Sequence, residues 1–141
     1  MAIEPLGPPF LGNAPGGLSL PWGITAAPMT FDPPTADPSQ LDLAALDGPE
    51  GAPPLRLQAD PPRRLPNLAR VPIALVSAEA SPVAAADPVT QAFLQQGGCT
   101  VDLLRLADRG VHGNGHGMMF ERNNREVLEV IVRWLAGLEQ A

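Results

Sequence analysis

The chain has 141 residues and a formal net charge of -6, with nine basic residues against fifteen acidic ones. This balance disfavours nucleic acids and anionic membrane surfaces as partners, because both are bound through basic faces. No apolar run reaches the ~18 residues of a membrane-spanning helix, and the first ten residues lack the features of a signal peptide. The single cysteine excludes an internal disulfide framework. The sequence predicts no metal or other cofactor and leaves the cellular compartment open.

Proline divides the chain, since 15 of its 18 prolines lie in the first half. Regular helix or sheet cannot run far through such a sequence, so residues 5–60 are predicted to be mostly irregular. Short helices are predicted from Asp37 to Leu46 and from Pro61 to Ala69. Apolar residues such as Phe10 and Trp22 persist in this half. The segment is therefore interpreted as an ordered excursion that packs on the rest of the chain.

The second half alternates between strand and helix patterns. Continuous apolar runs predict buried strands near 72–78 and 100–106, and residues 1–4 read as the end of another strand. Helical spacing predicts helices near 86–96 and 119–138. Strand, helix, strand and helix in this order predict an α/β fold with parallel strands and flanking helices.

The sheet predicted in this way is thin. Three strands, and a last helix with an apolar stripe, leave sheet edge and apolar surface to be covered. That stripe consists of Val127, Ile131, Trp134, Leu135 and Leu138. The sequence is therefore interpreted as a partial domain, with a strand end at 1–4, a proline-rich cap or excursion at 5–70 and a βαβα unit at 71–141. A missing N-terminal half or self-association is expected to cover the exposed faces.

A glycine-rich loop, Asp108–Gly117, precedes the last helix at the carboxyl end of the sheet, where α/β proteins place their sites. A phosphate-binding loop is disfavoured by the glycine spacing. A metal site on His112 and His116 is disfavoured because the chain has no further histidine. A catalytic histidine after the last strand of a hydrolase and a hydrogen-bonded loop histidine both stay open for His116.

Six segments of the chain, in order, resemble the carboxyl-terminal part of an α/β-hydrolase family, most closely bacterial and fungal serine esterases of the Alcaligenes type. These segments are AIEPLGPPF at 2–10, PWGIT at 21–25, FDPP at 31–34, RRLPNL at 63–68, VSAEAS at 76–81 and GVHGNGHGMMFERNN at 110–124. The resemblance implies the C-terminal part of an α/β-hydrolase fold. It also implies a carboxylic ester hydrolase that acts on a small-molecule ester through a catalytic triad.

The resemblance places the catalytic base of these esterases on His116 and their acid on Glu4. Glu4 precedes Pro5, which favours an extended backbone at the strand end. Glu79 is the alternative acid, because it follows the strand after which hydrolases more commonly carry it. Asp108 is interpreted as a turn or cap residue. Phe10 and Trp22 are expected to line an apolar substrate-binding cap, or to pack on the core as ordinary loop residues.

The chain departs from the family in one decisive respect, because none of its four serines lies in a GxSxG nucleophile elbow. No nucleophile is therefore assigned within the chain. The simplest interpretation is a truncated or misassigned reading frame, to be checked in the DNA upstream of Met1. The alternative function is a non-catalytic interaction protein, or an inactive hydrolase fragment, that pairs with a partner.

Overall fold

A computed structural model describes residues 1–5, 29–35, 37–46 and 55–139. Within them it contains five strands and two α-helices. In chain order these are β1 (Ala2–Ile3), β2 (Leu43–Leu46), β3 (Leu55–Gln58), β4 (Ile73–Ser77), α1 (Asp87–Gln96), β5 (Val101–Arg105) and α2 (Asn124–Leu138). Short 3₁₀-helices lie at Pro38–Gln40, Leu68–Arg70, Ala84–Ala86, Ala107–Arg109 and Met118–Phe120.

The central element is a parallel three-stranded sheet in the order β1-β4-β5. Ile3 is in register with Val76, and the β4–β5 pairing runs from Ile73 opposite Val101 to Ser77 opposite Arg105. The predicted strands and their parallel pairing are thus confirmed. A parallel sheet with helices before and after β5 is an arrangement found in part of an α/β fold.

Strand β4 is buried on both faces, which explains its uninterrupted apolar sequence. Val76 lies in a cluster with Leu104, Val127 and Val130, between the sheet and α2. Leu75 points to the opposite face and lies in a second cluster that contains Phe93 of α1. Because side chains alternate along β4, this strand contributes to two cores, one on each face of the sheet. Helices α1 and α2 lie on opposite sides of the sheet.

Helix α2 ends at Leu138, as predicted, but starts later than predicted. It begins at Asn124 rather than near residue 119, because Met118–Phe120 forms a separate 3₁₀ turn. The side chain of Trp134 packs on the core, and its indole N–H donates to the carboxylate of Asp102 on β5 (2.7 Å). The apolar stripe of this helix is expected to leave surface uncovered, and its last turn does so. Leu135 and Leu138 are 47% and 38% exposed, since the last turn extends past the cluster that the helix packs against.

Two local predictions for the proline-rich half are also wrong. Residues 37–46 contain one 3₁₀ turn, and Leu43–Leu46 then pairs with Leu55–Gln58 as an antiparallel hairpin. Strand pairing with a distant segment thus overrides the local helix signal. In residues 61–69 the only helical turn begins at Leu68. Pro66 explains this, because proline lacks the N–H that a helix interior needs and disfavours helical geometry before it.

The described part of the proline-rich half packs on the sheet. Asp32 and Arg64 exchange backbone hydrogen bonds, with N–H to O distances of 3.0 and 2.8 Å. Phe31 and Leu65, beside them in sequence, are buried in the cluster that contains Phe93. Two of the segments that carry the resemblance, FDPP and RRLPNL, therefore lie side by side. In the described ranges, no helix combines the length and hydropathy needed to cross a membrane.

Candidate active site

Glu4 lies directly after β1 at the carboxyl edge of the parallel sheet. Its backbone N–H donates to the Val76 carbonyl (2.9 Å), which continues the β1–β4 ladder by one residue. The expectation of an extended backbone at Glu4 is wrong, because its φ is +50°. This left-handed conformation is uncommon for a residue other than glycine and costs roughly 1–2 kcal/mol. The Glu4 side chain lies against the end of β4, where it meets Ala78.

The Glu4 carboxylate is buried, and both of its oxygens accept hydrogen bonds. The backbone N–H of Ala78 donates to Oε1 (2.5 Å), and the Ser81 hydroxyl donates to Oε2. The residue as a whole is 4% exposed. Burying a carboxylate is costly unless hydrogen bonds compensate the lost hydration. These two donors, both from the segment that follows β4, supply that compensation.

His116 meets this carboxylate from the glycine-rich loop. Its Nδ1 lies 3.3 Å from Glu4 Oε2, and its side chain is 51% exposed against 2% for that of Glu4. A carboxylate at Nδ1 favours the tautomer with a proton on that nitrogen, which leaves the Nε2 lone pair available to accept a proton. The pair thus combines a buried carboxylate with an accessible imidazole, the arrangement expected of an acid and base in a triad.

A polar cluster around Asn114 fixes the loop that carries His116. Asn114 is fully buried, and its amide nitrogen donates to Glu121 Oε2 and to Asn123 Oδ1, both at 2.7 Å. Asn123 donates back to Asn114 Oδ1 (2.9 Å), and the Gly115 N–H donates to the other Glu121 oxygen (2.8 Å). Four polar groups therefore hold the backbone immediately before His116.

Glu79 forms a second pair with a histidine, and that histidine is His112. Glu79 Oε2 lies 3.3 Å from His112 Nδ1 and accepts from the Gly113 N–H (2.9 Å). Gly113 has a φ of +77°, a conformation that glycine adopts without strain. The Gly113 N–H, followed by His112, holds the pKa of the Glu79 carboxyl below its usual range. Both partners are largely exposed, so the alternative acid is placed beside the other histidine of the loop.

Each of the two histidines therefore pairs with its own glutamate, His112 with Glu79 and His116 with Glu4. Among the described residues, no group of three or more His, Cys, Asp and Glu side chains is placed to hold a metal ion. Asp108, the third carboxylate considered, is exposed within the Ala107–Arg109 turn. Phe10 and Trp22 lie outside the described residues, as does Ser19.

Asp87, at the start of α1, is a buried carboxylate that sequence reasoning missed. It is 0% exposed, and neither oxygen has a hydrogen-bond partner in good geometry among the described residues. Burial raises its pKa to about 6, with nearby Glu4 acting in the same direction and Ser77 and Arg105 opposing it. Asp followed by Pro at a helix start resembles an ordinary helix N-terminus. The sequence therefore gave no signal that this carboxylate is buried beside Glu4.

Ser81, Asn114 and Glu121 were also missed as supporting residues. All three lie in VSAEAS or GVHGNGHGMMFERNN, the segments that carry the resemblance. Their place in these segments was the signal that could have identified them. Their partners are distant in sequence or depend on the loop conformation, which spacing alone does not predict.

The chain is 38% identical over 139 residues to "Probable secreted lipase phiG" of Fungal sp. (strain ATCC 74256). The alignment covers 96% of this chain and 38% of that protein. The chain thus spans under two fifths of the length of the curated relative that it matches. No family model matches the sequence, and no solved structure matches it significantly.

Proposed function

We propose that this chain supplies the general base and the acid of a serine hydrolase that cleaves carboxylic esters. His116 is the base and Glu4 the acid. The observation that carries the proposal is the contact between a buried Glu4 carboxylate and the Nδ1 of a half-exposed His116. Similarity to a probable lipase over nearly the whole chain supports a lipase- or esterase-like hydrolase at the general level. The Alcaligenes-type resemblance is the finer part of the proposal.

The mechanism is acyl transfer. A serine hydroxyl attacks the ester carbonyl while His116 Nε2 takes its proton, and Glu4 stabilises the imidazolium that forms. The imidazolium then protonates the departing alcohol, and water releases the acyl group by the same steps. We infer that the nucleophile lies outside these 141 residues, because none of their serines occurs in a GxSxG motif.

The described serines support that inference. Ser81 donates its hydroxyl proton to Glu4, the acid itself, and Ser77 is buried at the end of β4. Ser39 is exposed in the 3₁₀ turn of the proline-rich half. Among the described residues, none of these three serines forms a hydrogen bond with His116. Phe10 and Trp22 stay predictions as residues of an apolar cap over the ester.

The test is a chimera in which residues of this chain replace the matched region of the 38% identical lipase. We expect the chimera to hydrolyse p-nitrophenyl esters. His116→Ala should lower kcat by at least ~10³-fold, as removal of a triad member does. The matched control is His112→Ala, which removes the other histidine of the same loop. Full activity in His116→Ala, or equal losses in both variants, would contradict the assignment.

One observation favours the alternative of a non-catalytic interaction protein. An apolar groove of about 360 Å³ is lined by Ile3, Met119, Leu128 and neighbouring residues. These three residues are between 44% and 56% exposed. Sedimentation of the 141-residue chain tests this function. A concentration-dependent dimer that Leu128→Glu converts to monomer, together with an inactive chimera, would favour the interaction protein over the hydrolase.

A further inference from the structure

The four residues that follow β4 contact the candidate acid and the loop of the candidate base at once. Ala78 donates its N–H to Glu4 Oε1, and Ser81 donates its hydroxyl to Glu4 Oε2. Between them, the Ala80 N–H donates to the Asn114 carbonyl (2.8 Å), two residues before His116. This short segment therefore sets the distance between the Glu4 carboxylate and the His116 loop.

The Ser81 hydroxyl has its proton directed at Glu4. A hydroxyl has one proton to donate and two lone pairs that accept. The Val83 N–H donates to Ser81 Oγ (3.2 Å), so an accepting position of this oxygen is occupied by the backbone. The hydroxyl proton is left for the buried carboxylate oxygen in front of it. A backbone contact thus orients the serine, and the serine orients the acid.

The oxygen that Ser81 contacts is the same oxygen that faces His116. Glu4 Oε2 accepts from the Ser81 hydroxyl and lies 3.3 Å from His116 Nδ1. A carboxylate held through Oε1 alone could rotate about its terminal bond, because that torsion is broad. A second donor on Oε2 fixes the carboxylate plane and therefore the direction of the lone pair that meets the imidazole.

We propose that Ser81 is a positioning residue that fixes the Glu4 carboxylate toward His116 Nδ1, and so selects the His116 tautomer that leaves Nε2 as the base. The proposal rests on the proposed function for its catalytic consequence. Its structural content can be measured without any activity. It assigns no nucleophilic role to Ser81, whose hydroxyl is bonded to the acid.

The experiment is ¹⁵N NMR of the imidazole nitrogens in the 141-residue chain, at a pH where both histidines are neutral. The chain contains only His112 and His116, so each spectrum carries its own reference. Ser81→Ala should lower the Nδ1–H tautomer population of His116 and leave His112 unchanged. Ser81→Thr keeps the hydroxyl and should restore the wild-type ratio. Ser39→Ala, at an exposed serine, is the matched control.

Glu4→Gln separates the role of Ser81 from the choice of Glu4 as the acid. If Glu4→Gln changes the His116 tautomer and Ser81→Ala does not, the role of Ser81 is refuted while the acid–base pair stands. If neither variant changes it, both the role of Ser81 and the choice of Glu4 as acid fail. A change at both histidines in Ser81→Ala would indicate a general disturbance of the loop and would also overturn the proposal.

Activity in the chimera gives a second readout. Ser81→Ala should lower kcat about tenfold with KM within about twofold, the size expected for losing one hydrogen bond to a charged group. Ser81→Thr should keep kcat near the wild-type value. An inactive wild-type chimera with the expected tautomer change would refute the proposed function and leave the positioning of Glu4 intact. An unchanged kcat in an active chimera would contradict the catalytic part of the inference.

Discussion

Two histidines of one loop each pair with a glutamate from elsewhere in the chain, and both pairs have the same Nδ1 to Oε2 distance of 3.3 Å. In the first, the Glu4 side chain is 2% exposed, and in the second, the Glu79 side chain is 48% exposed. Charge interactions are stronger where water is excluded, while an exposed pair contributes at most about 1 kcal/mol. Distance alone therefore does not distinguish Glu4 from Glu79, whereas burial favours Glu4 as the proposed acid.

The exposed pair, Glu79 and His112, connects two segments of the fold. Glu79 accepts from the Gly113 N–H and lies against His112, so it connects the end of β4 to the start of the glycine loop. His116 lies on the same loop, four residues after His112. One pair thus anchors the loop, and the other carries the proposed chemistry.

The largest difference between the pairs is expected in catalysis. Glu4→Gln keeps the size of the side chain but removes the charge that stabilises the imidazolium, so kcat of the chimera should fall ~10²–10⁴-fold. Glu79→Gln makes the identical change in the exposed pair and should alter kcat less than about threefold. The measurement is kcat and KM with a p-nitrophenyl ester. A larger loss in Glu79→Gln would exchange the two roles.

The next difference concerns stability. Asn114→Ala removes the donor to Glu121 Oε2 and to Asn123 Oδ1 in a partly buried cluster, so the free energy of unfolding should fall by roughly 2–3 kcal/mol. Asn124→Ala is the matched control. The Asn124 side chain is exposed and donates a hydrogen bond to the Met119 carbonyl (3.0 Å), so its loss should cost under about 1 kcal/mol. Urea unfolding measures both free energies, and equal losses would contradict the claim that Asn114 stabilises this polar cluster.

Asp87 tests whether burial also changes the pKa of another carboxyl group at this edge of the sheet. Its pKa is raised from 3.8 to about 6, so the folded chain holds a proton that the unfolded chain releases. This group's contribution to stability is present at low pH and is lost as the pH rises from about 4 through about 6. The total loss is roughly 2–3 kcal/mol.

Asp87→Asn should remove that pH dependence. The unfolding free energy of the variant relative to wild type should rise between pH 4 and pH 7 by roughly 2–3 kcal/mol. Asp108→Asn, an exposed carboxamide substitution, should show no such rise. Chemical unfolding at several pH values measures the difference. Parallel pH profiles for wild type and Asp87→Asn would show that Asp87 titrates as an ordinary carboxyl.

The smallest expected effect is the anchoring by Glu79. The Glu79 carboxylate accepts from an exposed backbone group, so Glu79→Gln should leave global stability within experimental error. The local effect should be faster hydrogen exchange at the Gly113 amide, because an amide oxygen accepts more weakly than a carboxylate. Unchanged exchange at Gly113 would show that the carboxylate does not hold the loop.

The second half of the chain could be read from its sequence because its signals are strong and local. A buried parallel strand is uniformly apolar, as in Ile73–Ser77, and a glycine pair ends α1 near Gln96. The proline-rich half was read less well. The pairing of Leu43–Leu46 with Leu55–Gln58 joins segments that carry no shared local signal, and short apolar runs fit helix and strand equally.

The same limit applies to the site. The resemblance named Glu4 and His116, and the structure brings them together across 112 positions of sequence. The groups that donate hydrogen bonds to Glu4 could not be predicted from residue spacing or composition, because their positions depend on the turn after β4. The positive φ of Glu4 also escaped prediction, since the proline that follows it favours an extended backbone.

The most direct test of the acid–base pair is a double-mutant cycle on kcat/KM of the chimera, with Glu4→Gln introduced into wild type, His116→Ala and His112→Ala. Groups that act as one unit are strongly non-additive. We predict that Glu4→Gln costs ~10²-fold or more in wild type and in His112→Ala. In His116→Ala it should cost under about threefold, because the group that Glu4 serves is gone. An undiminished cost in His116→Ala would show that Glu4 does not act through His116 and would contradict the account.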